Sequence, residues 1–340
     1  MKAAHSVSDL VAAGLMTPEA GQAVASVAQR YAVALTPYVL ERLAGAAPDD
    51  PLYAQYIPSP EEAYTAPSER ADPIGDHAHA PVKGIVHRYP DRVLLKPLHA
   101  CAVYCRFCFR REMVGPGGDA LSPEELDAAL AYVREHPEVW EVVVTGGDPF
   151  LLSPRRLAGI VQALAAIPHV AVVRFHTRVP VADPARVTPE LAAALRAEGV
   201  TTWVAVHANH AAELTGEAAA ALSMLADAGI PLLGQTVLLK GVNDDAATLE
   251  ALFRALVRHR VKPYYLHHPD LAPGTGHFRP ELAHGQDLVK ALRGRVSGLC
   301  QPTYVLDIPG GHGKAPAAPS WIGPDGTVED FNGITHRYEP

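Results

Sequence analysis

From residue 92 onward, short apolar runs alternate with longer stretches of helical periodicity. The runs are 92–96, 142–145, 170–176, 202–206, 232–238 and 261–266, each short enough and apolar enough for a buried strand. The stretches between and after them, about 122–136, 154–167, 189–198, 216–228, 245–260 and 281–294, carry apolar residues three and four apart. Helix starts are well marked. Ser122 with Glu125 forms a capping box, and Ser153, Thr188 and Thr215 stand just before helical periodicity. Gly199 and Gly229 fall where helices should close. Six strand–helix units in a row predict an α/β fold with a parallel sheet and right-handed crossovers. A doubly wound sheet and a barrel both fit, and in either one ligands bind at the carboxyl ends of the strands.

The earlier part of the chain reads differently. Residues 6–45 are Ala-rich with helical spacing, and Thr17-Pro18-Glu19 is a helix start. Residues 46–84 are rich in Pro, Asp and Ala, as expected for an irregular wrapping segment. The predicted organisation is 1–84 helical and wrapping, 85–300 the strand–helix core, and 301–340 a C-terminal segment.

Composition narrows the class. The chain has 340 residues, 48% of them hydrophobic and 19% charged, which suits a globular enzyme with a sizeable core. A net charge of −8 gives no reason to expect nucleic acid or an anionic membrane as a partner. No run of about 18 apolar residues and no signal-peptide pattern appears, so the expected location is cytoplasmic.

Three of the four cysteines fall in one stretch, Cys101-Ala-Val-Tyr-Cys105-Arg-Phe-Cys108, directly after the first strand. A disulfide scaffold would spread its cysteines, so a metal centre is the better reading. Three thiolates on one tight loop can hold three irons of a [4Fe–4S] cubane and leave the fourth open to a small molecule. Zinc is the alternative, but it needs a fourth ligand such as His99, and the spacing is not that of a ribbon or finger.

Two further segments carry candidate chemistry. The second strand runs into Thr145-Gly146-Gly147-Asp148, either an ordinary turn or a place where a ligand ammonium meets backbone and carboxylate. Near the C-terminus stands Asp307-Ile-Pro-Gly310-Gly311-His312-Gly313-Lys314. Walker A is excluded because Ala315 follows the lysine and its first glycine is missing. A lysine on such a loop either sits on the surface or forms an imine with a carbonyl.

Taken together, the stretches VHRYPDRVLL, CAVYCRFCFRR, TGGDP, RFHTRVPV, QTVLLKGVND, YYLHHPDL with GHFR, and VLDIPGGHGKAP resemble the lysine 2,3-aminomutase family of radical S-adenosylmethionine (SAM) enzymes. The similarity runs from about residue 80 to the C-terminus, with the motifs in order. It implies a partial, open (β/α)6 TIM-type barrel with an N-terminal helical extension and a C-terminal segment that binds pyridoxal 5′-phosphate (PLP). Cys101, Cys105 and Cys108 would hold the [4Fe–4S] cluster, and Thr145, Gly146, Gly147, Asp148 and His207 would bind SAM. Lys314 would carry PLP, with Arg88 and Arg92 on its phosphate and Gln235 nearby; rim charges are the plainer reading of the two arginines. Arg110 would hold the substrate carboxylate, unless it pairs with a neighbouring acid. Asp270 and Asp307 would take a distant ammonium; two carboxylates converging in a buried site raise each other's pKa unless a cation lies between them.

The activity so implied is an isomerase interconverting L-lysine and β-lysine, with a 5′-deoxyadenosyl radical as initiator and a flavodoxin- or ferredoxin-type electron donor. The same chemistry on arginine, or β-lysine supply for elongation factor P, is the first alternative. A non-catalytic iron–sulfur or zinc-binding protein is the second. Pro269 stands where family members with zinc-linked subunits have a cysteine, and the chain ends at Tyr338-Glu339-Pro340, so zinc linkage is not expected. A homodimer through the N-terminal helices remains compatible. The histidines, among them His87, His176, His210, His267, His268 and His277, show no metal-binding spacing and read as hydrogen-bonded structural residues.

Overall fold

A computed structural model describes residues 2–115 and 117–338; Glu339 and Pro340, noted above, lie outside the described residues. The predicted 6–45 helical segment is four short helices, α1 (Val7–Ala12), α2 (Pro18–Ala23), α3 (Ala25–Arg30) and α4 (Pro37–Leu43). Pro18 and Pro37 each start a new helix behind a threonine cap, which breaks the segment up. The wrapping segment contains one more helix, α5 (Pro51–Tyr56), capped by Asp50.

Strand β1 (Ile85–Tyr89) runs antiparallel to β2 (Arg92–Leu98). The predicted strand–helix units follow: β2, α6 (Pro123–Arg134), β3 (Glu141–Gly146), α7 (Pro154–Ala165), β4 (Val172–Thr177), α8 (Val179–Ala182), α9 (Pro189–Ala194), β5 (Thr201–His207), α10 (Gly216–Asp227), β6 (Leu232–Val237), α11 (Ala246–Arg258), β7 (Val261–His267) and α12 (Leu282–Leu292). Then β8 (Thr303–Asp307) adds in parallel beside β7, and β9 (Lys314–Pro316) turns back antiparallel on β8. A small hairpin, β10 (Thr327–Glu329) and β11 (Thr335–Arg337), closes the described chain.

Among the described residues the large sheet has nine strands in simple sequence order, β1 to β9. A doubly wound sheet reverses its order at a switch point, so sequential order decides for the open barrel. No ladder joins β1 to β9 among the described residues. The gap is crossed by a side chain instead: the Lys314 backbone N–H donates to the Tyr89 hydroxyl at 2.7 Å.

The outer helices turn one apolar stripe to the sheet. In α11, Leu249, Leu252, Phe253 and Leu256 are fully buried at the spacing of one helical face. On α6, Ser122 accepts from the Glu125 N–H, and the Glu125 side chain accepts from the Ser122 N–H at 2.9 Å. Ser122→Ala should lower unfolding free energy by about 1 kcal/mol in urea titration; no change would mean that packing alone fixes the helix start.

Candidate functional site

The cysteine loop leaves β2 and is fastened to both sides of the barrel mouth. Gly147 N–H donates to Leu98 O and Asp148 N–H to Ala100 O, each at 2.8 Å. The loop backbone lies so close to Gly147 that a Cβ there would collide with the Ala100 carbonyl, so the second glycine is a packing requirement. From the other side, buried Glu62 binds Arg106 Nε at 2.9 Å and Nη2 at 2.6 Å, and also binds Arg111 Nη2. Both arginines belong to the cysteine loop. The N-terminal segment thus holds the loop through one carboxylate, a link without a recognisable sequence motif.

Cys101, Cys105 and Cys108 are free thiols close enough to act on one another electrically. Burial and the neighbouring sulfurs push Cys101 up and Cys108 to about 11. Three such thiols become thiolates together only beside a cationic centre, which fits a metal cluster. Cys105 is helped by Arg178, whose Nη1 donates to its Sγ at 3.1 Å. Arg178 is held in turn by Gln55 at 2.7 Å and Glu213 at 2.8 Å.

The SAM expectations separate here. Thr145, Gly146 and Gly147 end β3 against the cysteine loop, and His207 ends β5 with its ring edge-on to Phe107 of that loop, centroids 5.5 Å apart. Burial holds His207 neutral, with Nε2 3.2 Å from Asn209 Oδ1. Asp148 is held by donors of the protein itself. Its Oδ1 accepts from Thr177 Oγ1 at 2.7 Å and Phe150 N at 3.0 Å; its Oδ2 accepts from the backbone of Arg178 at 2.7 Å and Val179 at 3.2 Å. Four donors fill a carboxylate. The Asp148 side chain therefore ties β3 to the β4–α8 turn.

Inside the barrel two charge groups stand near each other. The first is acidic. Asp307, at the end of β8, holds Lys314 Nζ at 2.6 and 2.8 Å. Asp270, beyond β7, feels Asp307, and burial plus that neighbour raise it to about 7 against the pull of Lys314, Arg110 and Arg279. Asp270 therefore senses both Asp307 and the Lys314 cation that Asp307 holds. The second group is basic and was not foreseen. Asp76, with no exposed side-chain surface, binds Arg110 Nε at 3.1 Å and Nη2 at 2.9 Å through Oδ2, and Arg88 Nη2 at 3.0 Å through Oδ1. Lys96 Nζ lies 3.6 Å from Oδ2. Arg110 thus does pair with a neighbouring acid, yet through one edge of its guanidinium.

Arg92 stays outside that group. It bonds Asp91 at 2.6 Å and stacks 3.8 Å from the Tyr89 ring centroid, and its charge also reaches Tyr265 of β7. Gln235 sits on β6 between His207 of β5 and Tyr265 of β7 in the ladder. Sequence reasoning passed over His176 and His267 as structural. Burial keeps both neutral, His267 near 3, and the charges of Lys314 and, for His176, Arg110 reach them. The buried His176 Nε2 and Arg88 Nε have no hydrogen-bond partner among the described residues. Unpartnered buried polar atoms occur at Arg111, Arg178, His277 and Arg279 as well, and each can be met by water or by a ligand. A phosphate fits Arg88, and three crowded thiols fit an iron–sulfur cluster.

A protein-family model described as the radical SAM superfamily matches residues 95–252. Curated relatives extend the match over nearly the whole chain. The L-lysine 2,3-aminomutase of Acetoanaerobium sticklandii is 40% identical over 328 residues, 95% of this chain and 79% of its own. That of Clostridium subterminale is 41% identical over 307 residues, 90% of this chain and 74% of its own. The glutamate 2,3-aminomutase of Clostridioides difficile is 35% identical over 312 residues, 92% of this chain and 74% of its own. With a sequential open barrel, a three-cysteine loop after its first parallel strand and relatives matched over this much of their length, the chain belongs to the L-lysine 2,3-aminomutase family of radical SAM enzymes.

Proposed function

We propose that the chain interconverts L-lysine and β-lysine, moving an amino group between C2 and C3. The observation that carries this choice is the pair Asp270 and Asp307 beside Lys314, with Arg110 nearby on the cysteine loop. In the resting site Asp307 already holds one primary ammonium, that of Lys314. The same carboxylate, together with Asp270, would serve as counter-charge for the ε-ammonium of a substrate. Arg110 spends Nε and one face of Nη2 on Asp76, which leaves Nη1 for the substrate carboxylate. Two acids at the far end would repel a glutamate side chain.

When bound, the cluster with SAM supplies the hydrogen-abstracting radical and PLP supplies a π-system that spreads the unpaired electron. The protein's own part is placement. Arg88 offers a buried, unpartnered Nε to a phosphate, and neutral His176 and His267 add no charge to a site whose charges are otherwise paired. Holding one C–H bond at a fixed distance from the radical source is the main service of such a cavity. A flavodoxin- or ferredoxin-type protein in the cytoplasm is the proposed electron source. Among the described residues no helix is long and apolar enough to cross a membrane.

The test is product analysis by mass spectrometry with L-lysine, SAM, PLP and a strong reductant, beside arginine and glutamate. β-Lysine is the expected product, and β-arginine or β-glutamate alone would replace the proposal. A pH dependence follows from Asp270. Its acid form cannot attract an ammonium, and it ionises near pH 7 in the free site. KM for lysine should therefore fall about tenfold from pH 6 to pH 8. Asp270→Asn should flatten that profile; a profile left intact in the variant would assign the titration elsewhere.

A further inference from the structure

We propose that Asp76 is a positioning residue that keeps the cations of this site away from its acids: its two oxygens hold Arg88 and Arg110, which would otherwise fall onto Asp307 and Asp270. This rests on the reading that Arg88 serves a phosphate and Arg110 an amino-acid carboxylate.

The distances state the problem that Asp76 solves. Arg88 Nη1 is already 3.7 Å from Asp307 Oδ1, while its Nη2 is held by Asp76 at 3.0 Å. Arg110 lies within electrostatic reach of Asp270 and is held by Asp76 through Nε and Nη2. Beside Lys314, which already sits on Asp307, three more cations (Arg88, Lys96 and Arg110) share one buried space with the two acids Asp270 and Asp307. Left to Coulomb attraction, opposite charges in a low-dielectric interior collapse into pairs. Collapse would fill both ends of the site with the protein's own groups. A carboxylate behind the arginines offers them a competing partner on the side away from the acids, and leaves one edge of each guanidinium for a ligand.

Backbone packing shows how Asp76 is brought there. Gly75, with φ of +67°, lies against the Gly310–Gly311 backbone, where a Cβ would come within 2.6 Å of Gly311 N. Asp72 caps the turn, its Oδ1 accepting from the Asp76 N–H at 2.8 Å. The wrapping segment therefore delivers one acid beside the loop that carries Lys314. Removing that acid adds net positive charge, which by itself favours anions. The expected loss arises because Asp307 is already within reach of Arg88.

Purified chain is titrated with PLP and, in parallel, with pyridoxal, which lacks the phosphate; imine absorbance gives both affinities. Asp76→Asn should lower the PLP-to-pyridoxal affinity ratio about tenfold. The double variant Asp76→Asn/Asp307→Asn should recover most of that ratio, because the competing acid is gone. Arg88→Ala should lose the ratio as well, and if it does not, the phosphate reading fails independently of Asp76. If Arg88→Ala loses the ratio but Asp76→Asn keeps it, or the double variant recovers nothing, the proposal is overturned. Should Asp76→Asn not fold, the ratio is read on Asp76→Glu, which carries its charge one methylene further. A fall of about threefold is expected there, and an unchanged ratio overturns the proposal.

Discussion

Asp307→Asn should lower kcat/KM for lysine by about 10² to 10³. Asp307 is 5% exposed and makes two bonds to Lys314 Nζ. Truncating one partner of a desolvated charge pair costs about 2–5 kcal/mol, and each 1.4 kcal/mol is tenfold. The loss should be selective. A substrate analogue of similar length with a neutral terminus should lose far less, because it never used the charge. PLP loading, read by imine absorbance, separates this effect from damage to Lys314. Equal losses for charged and neutral substrates in a PLP-loaded variant would mean that Asp307 serves only Lys314.

The second large effect is expected far from the substrate. Glu62→Ala leaves the Arg106 and Arg111 guanidiniums buried and without their shared carboxylate. Breaking a buried ion pair from one side costs about 3–5 kcal/mol, since the remaining charges stay desolvated. Arg106 lies between Cys105 and Cys108 in the chain, so the loss falls on the cysteine loop. Denaturant midpoints should drop, and iron release to a chelator from the reconstituted protein should speed up. Since Arg106 Nη1 also bonds the Ala32 carbonyl at 2.7 Å, Glu62→Gln should recover part of the stability by restoring one acceptor. Native stability in Glu62→Ala with native iron retention would remove Glu62 from any role in holding the loop.

Local signals located the strands, helices and caps of the barrel well. Ser122, Ser153, Thr188 and Thr215 all cap as expected. Three strands of the large sheet escaped, as did the β10–β11 hairpin. β1 is only half buried, β8 is a five-residue run, and β9 has three residues. None carries enough periodicity to stand out, and pairing with a neighbour creates them. At the site, Cys101, Cys105 and Cys108 were legible because their spacing is itself the chemistry. The four protein donors around Asp148 were not legible, because an acid after two glycines says nothing about where its oxygens point.

What the sequence determined alone was therefore what short spacing encodes: the parallel strand–helix order, the three-thiol loop, and a lysine on a glycine-rich turn. What only the tertiary structure decided was which distant charges meet. Asp76 joins Arg88 and Arg110 from 12 and 34 residues away, Glu62 joins Arg106 across 44, and Asp270 comes to feel Asp307. Those partnerships depend on burial, which strengthens a charge interaction many times over and which no single position along a chain reveals.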